Sequence, residues 1–393
     1  MKRRFTLPLA PTLPEEMIEE ILLRLPVRSV LRFKCVCKSW LSLTSDPQFA
    51  KSHFDLAAVP THRILKFSKY SIAKSAEIDN PFQLNSAELV VNIPHPSPDR
   101  NHKWRIDVVG SCRGFLLLAA ATSDIIYFLI WNPSTSLEKR FNKVWSMLPY
   151  LCGIGYDSST DDYVVVMITL PLLHIHGRLG TEIHCFSSRT NSWSYTENTV
   201  PYISFSNDFS HHGSLLHGAV HWLVHSYYGF HPVIIAFDVM ERKLSEIPLP
   251  PDLADRSEIY DLRLMGKCLC LCFLGYESGP AEMWMMKEYK VQSSWTKLYI
   301  LPPICYPPRC YFAPICFTRD GEILGYDNSK TLVRLHHRGE LLEHRVHGQC
   351  EGIYRFPHCG MYRESLLSLP DIDLDHCLRA NRRSGAKGVE SNQ

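Results

Sequence analysis

Apolar positions along this chain keep two rhythms, one near its start and another over most of the rest. Between residues 13 and 43 they recur at helical spacing: Met17, Ile18, Ile21, Leu22 and Leu25 make one wide stripe. Pro14 suits the first helical position, where its missing N–H would have no intrahelical partner. Glu15, Glu16, Glu19 and Glu20 sit toward the positive end of this helix and Arg24 toward the negative end, and Pro26 stops it. A second short segment carries Val30, Leu31 and Phe33, and a third carries Val36, Trp40, Leu41 and Leu43 before Pro47. The pattern predicts three short helices. A unit this small cannot bury so much apolar surface within itself, so it reads as a docking module.

From Ile106 onward the helical spacing gives way to short β-branched or aromatic runs separated by polar turns. Polar turns around Pro133, Arg189, Val239, Lys290 and Arg338 each follow an apolar run, and they recur at intervals of roughly 50 residues, the repeat length of kelch-type propeller blades. Each repeat resolves into four strands. Residues 214–216 turn at His217-Gly218 into residues 219–224, followed by residues 233–237 and 244–249. Complete units span residues 106–346, and the runs at 63–67, 88–93 and 352–369 supply a sixth, composite blade, since a propeller must close to remove its sheet edges. A β-sandwich of the same strands is the alternative. The fold class expected is α+β multi-domain: a small three-helix module at residues 11–54, an all-β propeller-like domain of about six blades at 61–369, and a polar, disordered tail at 370–393.

Composition narrows the function. Forty-two basic against 40 acidic side chains in 393 residues give a net charge of +2, which argues against nucleic-acid or anionic-membrane attraction. The apolar run at 114–131 approaches membrane-span length, but Thr122-Ser123-Asp124 interrupts it, so two strands explain it better; nor is there a signal-peptide pattern. Fourteen cysteines without a secretory leader point to a reducing compartment, cytoplasmic or nuclear. Cys268, Cys270 and Cys272 alternate along one strand and read as small buried side chains rather than thiolate ligands. His217, His221 and His225 fall four apart, but Gly218 stands where a metalloprotease helix needs Glu, and the segment alternates as a strand. No phosphate-cradling glycine motif, nucleophile elbow or carboxylate pair stands out, so no catalytic, cofactor-binding or metal-ligating residue is assigned.

Leu13-Pro14, Ile21-Leu22, Leu25-Pro26 and Val36-Cys37-Lys38-Ser39-Trp40 together resemble an F-box over residues 11–54. The β region resembles the plant F-box-associated, or F-box/kelch-like, domain on Gly153-Ile154-Gly155-Tyr156-Asp157, Thr190-Asn191-Ser192-Trp193, Gly218-Ala219-Val220-His221-Trp222, Ser294-Trp295-Thr296-Lys297 and Tyr362-Arg363-Glu364-Ser365-Leu366. It departs from true kelch repeats in lacking a Gly-Gly doublet, and no Trp-Asp dipeptide supports a WD40 reading. The resemblance implies a Skp-type adaptor as partner and, through it, a cullin-based (SCF-type) ubiquitin ligase, with this chain as a non-catalytic receptor for a protein substrate. The expected adaptor-docking residues are Leu13, Pro14, Ile18, Ile21, Leu22, Leu25, Pro26, Val30, Val36 and Trp40. The competing reading is a propeller enzyme or small-ligand-binding protein that its F-box tethers to the adaptor.

In a four-strand blade, the first-to-second and third-to-fourth turns share one face of the propeller. The second-to-third loops and the blade-to-blade links share the other. Here the second set is longer and carries Tyr202, Phe205, Tyr227, Tyr228, Phe230, Tyr276, Tyr306 and Tyr311. Aromatic side chains dominate binding hot spots, so these residues are the expected substrate surface.

Overall fold

A computed structural model describes residues 13–56, 62–69, 72–78, 89–93, 105–121, 126–141, 150–170, 181–198, 202–203, 212–228, 230–250, 253, 259–273, 281–301, 312–327, 332–336, 341–345 and 359–370. Its N-terminal unit has four helices where the sequence pattern predicts three: α1 (Glu15–Leu23), α2 (Val27–Phe33), α3 (Lys38–Ser45) and α4 (Pro47–Leu56). Pro14 and Pro26 stand one position ahead of the first helical turn, as the N-caps of α1 and α2. Pro47, expected as a terminator, instead opens α4 at the position where a proline is best tolerated. Asp46 caps that helix, its carboxylate accepting from the N–H of Gln48 at 2.6 Å and of Phe49 at 3.3 Å.

Six antiparallel sheets follow among the described residues, five of four strands and one with an added short strand, which makes the β region a six-bladed propeller. The first blade joins β1 (His62–Lys69), β2 (Ile72–Glu77) and β3 (Leu89–Asn92) to the last described strand, β25 (Cys359–Arg363). The second is β4 (Arg105–Cys112), β5 (Phe115–Ala121), β6 (Ile126–Trp131) and β7 (Glu138–Arg140). The third is β8 (Tyr150–Asp157), β9 (Asp162–Thr169), β10 (Thr181–Ser187) and β11 (Ser192–Asn198). In the fourth, β12 (Tyr202–Ile203) and β13 (Ser214–Leu216) both pair with β14 (Ala219–Ser226), which continues to β15 (Pro232–Asp238) and β16 (Lys243–Ile247). The fifth holds β17 (Ile259–Met265), β18 (Cys268–Phe273), β19 (Ala281–Met286) and β20 (Trp295–Leu301). The sixth holds β21 (Phe312–Phe317), β22 (Ile323–Asp327), β23 (Leu332–Leu335) and β24 (Leu341–Arg345).

Neighbouring blades pack face to face, so their middle strands are covered on both sides and read as unbroken apolar runs. Every residue of β14 is buried. The cores lie between blades: Leu65, Val108, Leu118 and Tyr362 join the first to the second, and Val164, Val166, Ile235 and Phe237 the third to the fourth. Ile64, Cys316, Leu324 and Tyr326 join the sixth back to the first, which completes the ring. Near the axis three blades meet backbone to backbone. The Gly213 N–H lies 2.8 Å from the Cys152 carbonyl and 3.2 Å from that of Val109, and Trp222 Nε1 donates to the same Cys152 oxygen at 3.1 Å. A Cβ at Gly213 would fall 2.3 Å from Val220 Cγ1, so only glycine allows this approach.

His221, weighed above against a metal ligand, ties the fourth blade to the fifth. Its Nδ1 faces the Ser214 carbonyl at 2.9 Å and must carry the proton, which leaves Nε2 to accept from the Tyr289 hydroxyl at 2.8 Å. Burial pushes this imidazole down to about 4, and burial and then the charge of His231 do the same for His225. Both groups bind protons more readily unfolded than folded, so their contribution is complete above the ordinary histidine range and drains away as pH falls from about 6.5 toward 4. The thermal midpoint should fall by on the order of 5 °C between pH 7 and pH 5. A His221→Gln, His225→Gln chain should show a much shallower slope in the same scans, and an equal slope would place the proton uptake elsewhere.

Candidate functional site

The helical unit presents two apolar sides. On one, Leu22, Leu23, Val27, Val30, Phe49, Ala50 and Phe54 are buried together and merge with Cys112, Phe115, Leu366 and Leu367 of the propeller. On the other, Leu13, Met17 and Ile21 of the α1 region, with Val36 and Leu41 around the start of α3, stand exposed. A shallow groove along α1 is lined by Glu16, Met17, Glu20, Ile21 and Arg24. Its floor is apolar, and its edge carries Glu16 and the ion pair of Glu20 with Arg24.

The expected docking residues therefore divide. Leu13, Pro14, Ile21, Pro26 and Val36 are exposed; Ile18, Leu25 and Trp40 are partly buried, with the Trp40 ring edge-on to Phe33 at 5.5 Å. Leu22 and Val30 face the unit's own core, Leu22 being only 1% exposed against 49% for Ile21. Sequence spacing could not separate these neighbours, because α1 is apolar on both its covered and its open sides. Met17 and Leu41, not among the expected docking residues, join the open set; Met17 lies in the predicted stripe, and Leu41 directly follows Trp40.

Among the described residues, the propeller meets the helices with one face. Lys51 of α4 pairs at 2.6 Å with Asp161 in the β8–β9 turn. Phe54 lies against Arg113 in the β4–β5 turn and Arg363 at the end of β25. Arg28 of α2 pairs with Glu364 at 2.9 Å. These propeller residues occupy first-to-second turns or the matching strand end, so the helices sit on the short-turn face. Strands of about seven or eight residues separate it from the long-loop face by roughly 25 Å.

On the long-loop face, the β14–β15 connection holds Tyr227 and Tyr228 edge to face at 5.4 Å, with Tyr228 69% exposed. Ser226 shapes the loop: its N–H donates to the His231 carbonyl at 2.9 Å and its hydroxyl to the Tyr228 carbonyl at 3.1 Å. Phe230, exposed, has a left-handed backbone at φ 56°, which a bulky residue adopts only where the surrounding loop imposes it. Tyr202 belongs elsewhere. It is only 6% exposed, because β12 adds to the edge of β14 opposite Ser226 and His225, and its hydroxyl donates to Glu246 at 2.6 Å. Phe205, Tyr276, Tyr306 and Tyr311 lie outside the described residues.

No helix among the described residues is long and apolar enough to cross a membrane. The family model of the F-box domain matches residues 11–52, and that of the F-box associated beta propeller domain matches residues 65–368. An F-box/kelch-repeat protein of Arabidopsis thaliana is 30% identical over 308 residues, covering 74% of this chain and 79% of the relative. The F-box protein CPR1 of the same plant is 27% identical over 347 residues and covers 81% of each chain. With helices of the F-box pattern seated on a closed six-bladed ring and both halves matched, the chain belongs to the plant F-box proteins that carry an F-box associated β-propeller domain.

Proposed function

We propose that this chain is the substrate-recognition subunit of an SCF-type ubiquitin ligase. Its F-box docks to a Skp-type adaptor and, through it, to a cullin, while the propeller captures a protein target in the cytoplasm or nucleus. The chain itself supplies proximity and orientation, and other subunits carry out ubiquitin transfer. The observation that carries this reading is the two-sided F-box: the propeller covers one apolar side, and the side bearing Leu13, Met17, Ile21, Val36 and Leu41 stays open. The apolar floor of the α1 groove, edged by Glu16 and by the Glu20–Arg24 pair, fits an adaptor surface with an apolar patch and polar neighbours.

The target docks on the long-loop face. Because the F-box occupies the short-turn face, a target there would compete for space with the adaptor, whereas Tyr227, Tyr228 and Phe230 point away from it. Joint replacement of these three by Ser should lower target capture by about 30-fold or more, the effect of losing one strong hot spot. Proximity labelling under proteasome inhibition reads the result. Adaptor recovery and thermal midpoint should stay at wild-type values. Undiminished capture would move the target off this loop.

A further inference from the structure

We propose that Phe54, gripped by Arg113 and Arg363, is a positioning residue that locks the F-box and the propeller into one rigid body. A target held by the propeller then faces the rest of the ligase in a single orientation. That consequence rests on the ligase reading; the lock itself rests on geometry alone.

The connection between the two units needs only residues 57–61, yet the contact is far more elaborate than a tether. Phe54 lies near the C-terminal end of α4 and is buried. The Arg363 guanidinium carbon lies 3.7 Å from its ring centroid, and Nη2 of the same arginine donates to the Phe54 carbonyl. The Arg113 guanidinium carbon lies 4.8 Å from the same centroid and 4.4 Å from the ring of Tyr156. Planar guanidinium groups stack on aromatic faces in a way an ammonium does not, which makes the contact directional. Arg113 reaches it from a tight turn with φ 48°, followed by Gly114 at φ 89°, where any Cβ would strike Ser365.

Each neighbour of Phe54 is fixed in turn. One residue back, His53 Nε2 meets the Leu25 carbonyl at 2.8 Å, which ties α4 to the F-box interior. Three residues back, on the same face of α4, Lys51 pairs with Asp161, and Asp161 also accepts from the Tyr156 hydroxyl. On the far side, Glu364 pairs with Arg28 while buried to 5% side-chain exposure. Phe54 therefore stands at the centre of a ring of contacts drawn from α2, α4, two propeller turns and the closing strand. A hinge at this place would have to break them all together.

The test is the distance distribution between two dyes on the full-length chain, one at the exposed Gln48 and one at the exposed Lys267, alone and bound to a Skp-type adaptor. The wild-type chain should give one narrow distribution in both states. Phe54→Ala and the double change Arg113→Ala, Arg363→Ala should broaden it at least twofold, in chains that still bind adaptor and still melt cooperatively. Phe54→Tyr should restore the narrow form. Should the core changes prevent folding, Lys51→Glu reads the same lock from the surface and should broaden the distribution by a smaller amount. A broad wild-type distribution would overturn the lock, as would distributions that stay narrow in the folded variants. A narrow distribution on a chain that binds no adaptor would support the lock and sink the ligase reading instead.

Discussion

Ending the chain at Gln349 should abolish the soluble, cooperatively folded protein, whereas ending it at Pro370 should leave stability unchanged. The first cut removes β25, which pairs with β1 from His62 opposite Arg363 to Lys66 opposite Cys359. Without it, β1 becomes an open inner edge, ready to pair with another chain. The loss extends well beyond one ladder. Tyr362 is packed between the first and second blades, and its hydroxyl shares a hydrogen bond with Ser75 at 2.9 Å. The buried Asn132 amide donates to the carbonyls of Ser365 at 3.2 Å and Leu367 at 3.1 Å, and would be left unpaired. Leu366 and Leu367 leave the shared core, and Arg28 and Arg63 lose Glu364. Each of these losses is worth on the order of 1–3 kcal/mol, and together they rival the whole stability of an ordinary domain. Size-exclusion chromatography and a thermal melt of the two truncations check it. A monomer ending at Gln349 that melts cooperatively would mean that the ring closes without β25.

Two adjacent residues of α1 should give opposite phenotypes when each is changed to Arg. Ile21→Arg places its charge on the open side, where the free chain can solvate it. Stability should hold within about 0.5 kcal/mol while adaptor affinity falls at least 30-fold, since the same charge becomes desolvated in the complex. Leu22→Arg instead forces a cation into the apolar core with Val30, Phe49 and Phe54. It should lower stability by several kcal/mol and loosen the F-box from the propeller. Titration with purified adaptor, run beside a melt of each variant, separates the two effects. Equal stability loss in both would mean that α1 has no open side.

Much of this architecture is legible in the sequence. The polar turn after each third strand, from residues 133 to 338, marks the blades, because a hairpin in a sheet covered on both faces is the one place where polar residues must gather. His217-Gly218 was readable as a two-residue turn, and both residues indeed have left-handed backbones, at φ 49° and 76°. The fourth helix escaped because Pro47 reads equally as a stop or a start, and only the Asp46 cap decides it. The direction in which Leu22 points escaped because a helix gripped on one side by its own domain and open to a partner on the other is apolar all round. Tyr202 was misplaced among exposed aromatics because a two-residue strand leaves no periodicity to read. The Phe54 clamp was invisible for a different reason: its arginines stand at positions 113 and 363, and nothing local links them.

The central claim is that this chain delivers captured proteins for ubiquitination rather than acting on them itself. Its most direct test compares the wild-type chain with the Ile21→Arg chain in cells under proteasome inhibition, scoring for each captured protein both its recovery and the ubiquitin it carries. The account predicts that both chains recover the same proteins, with ubiquitin on those proteins depending on wild-type α1. Captured proteins carrying equal ubiquitin with either chain, or altered chemically in some other way by both, would contradict it.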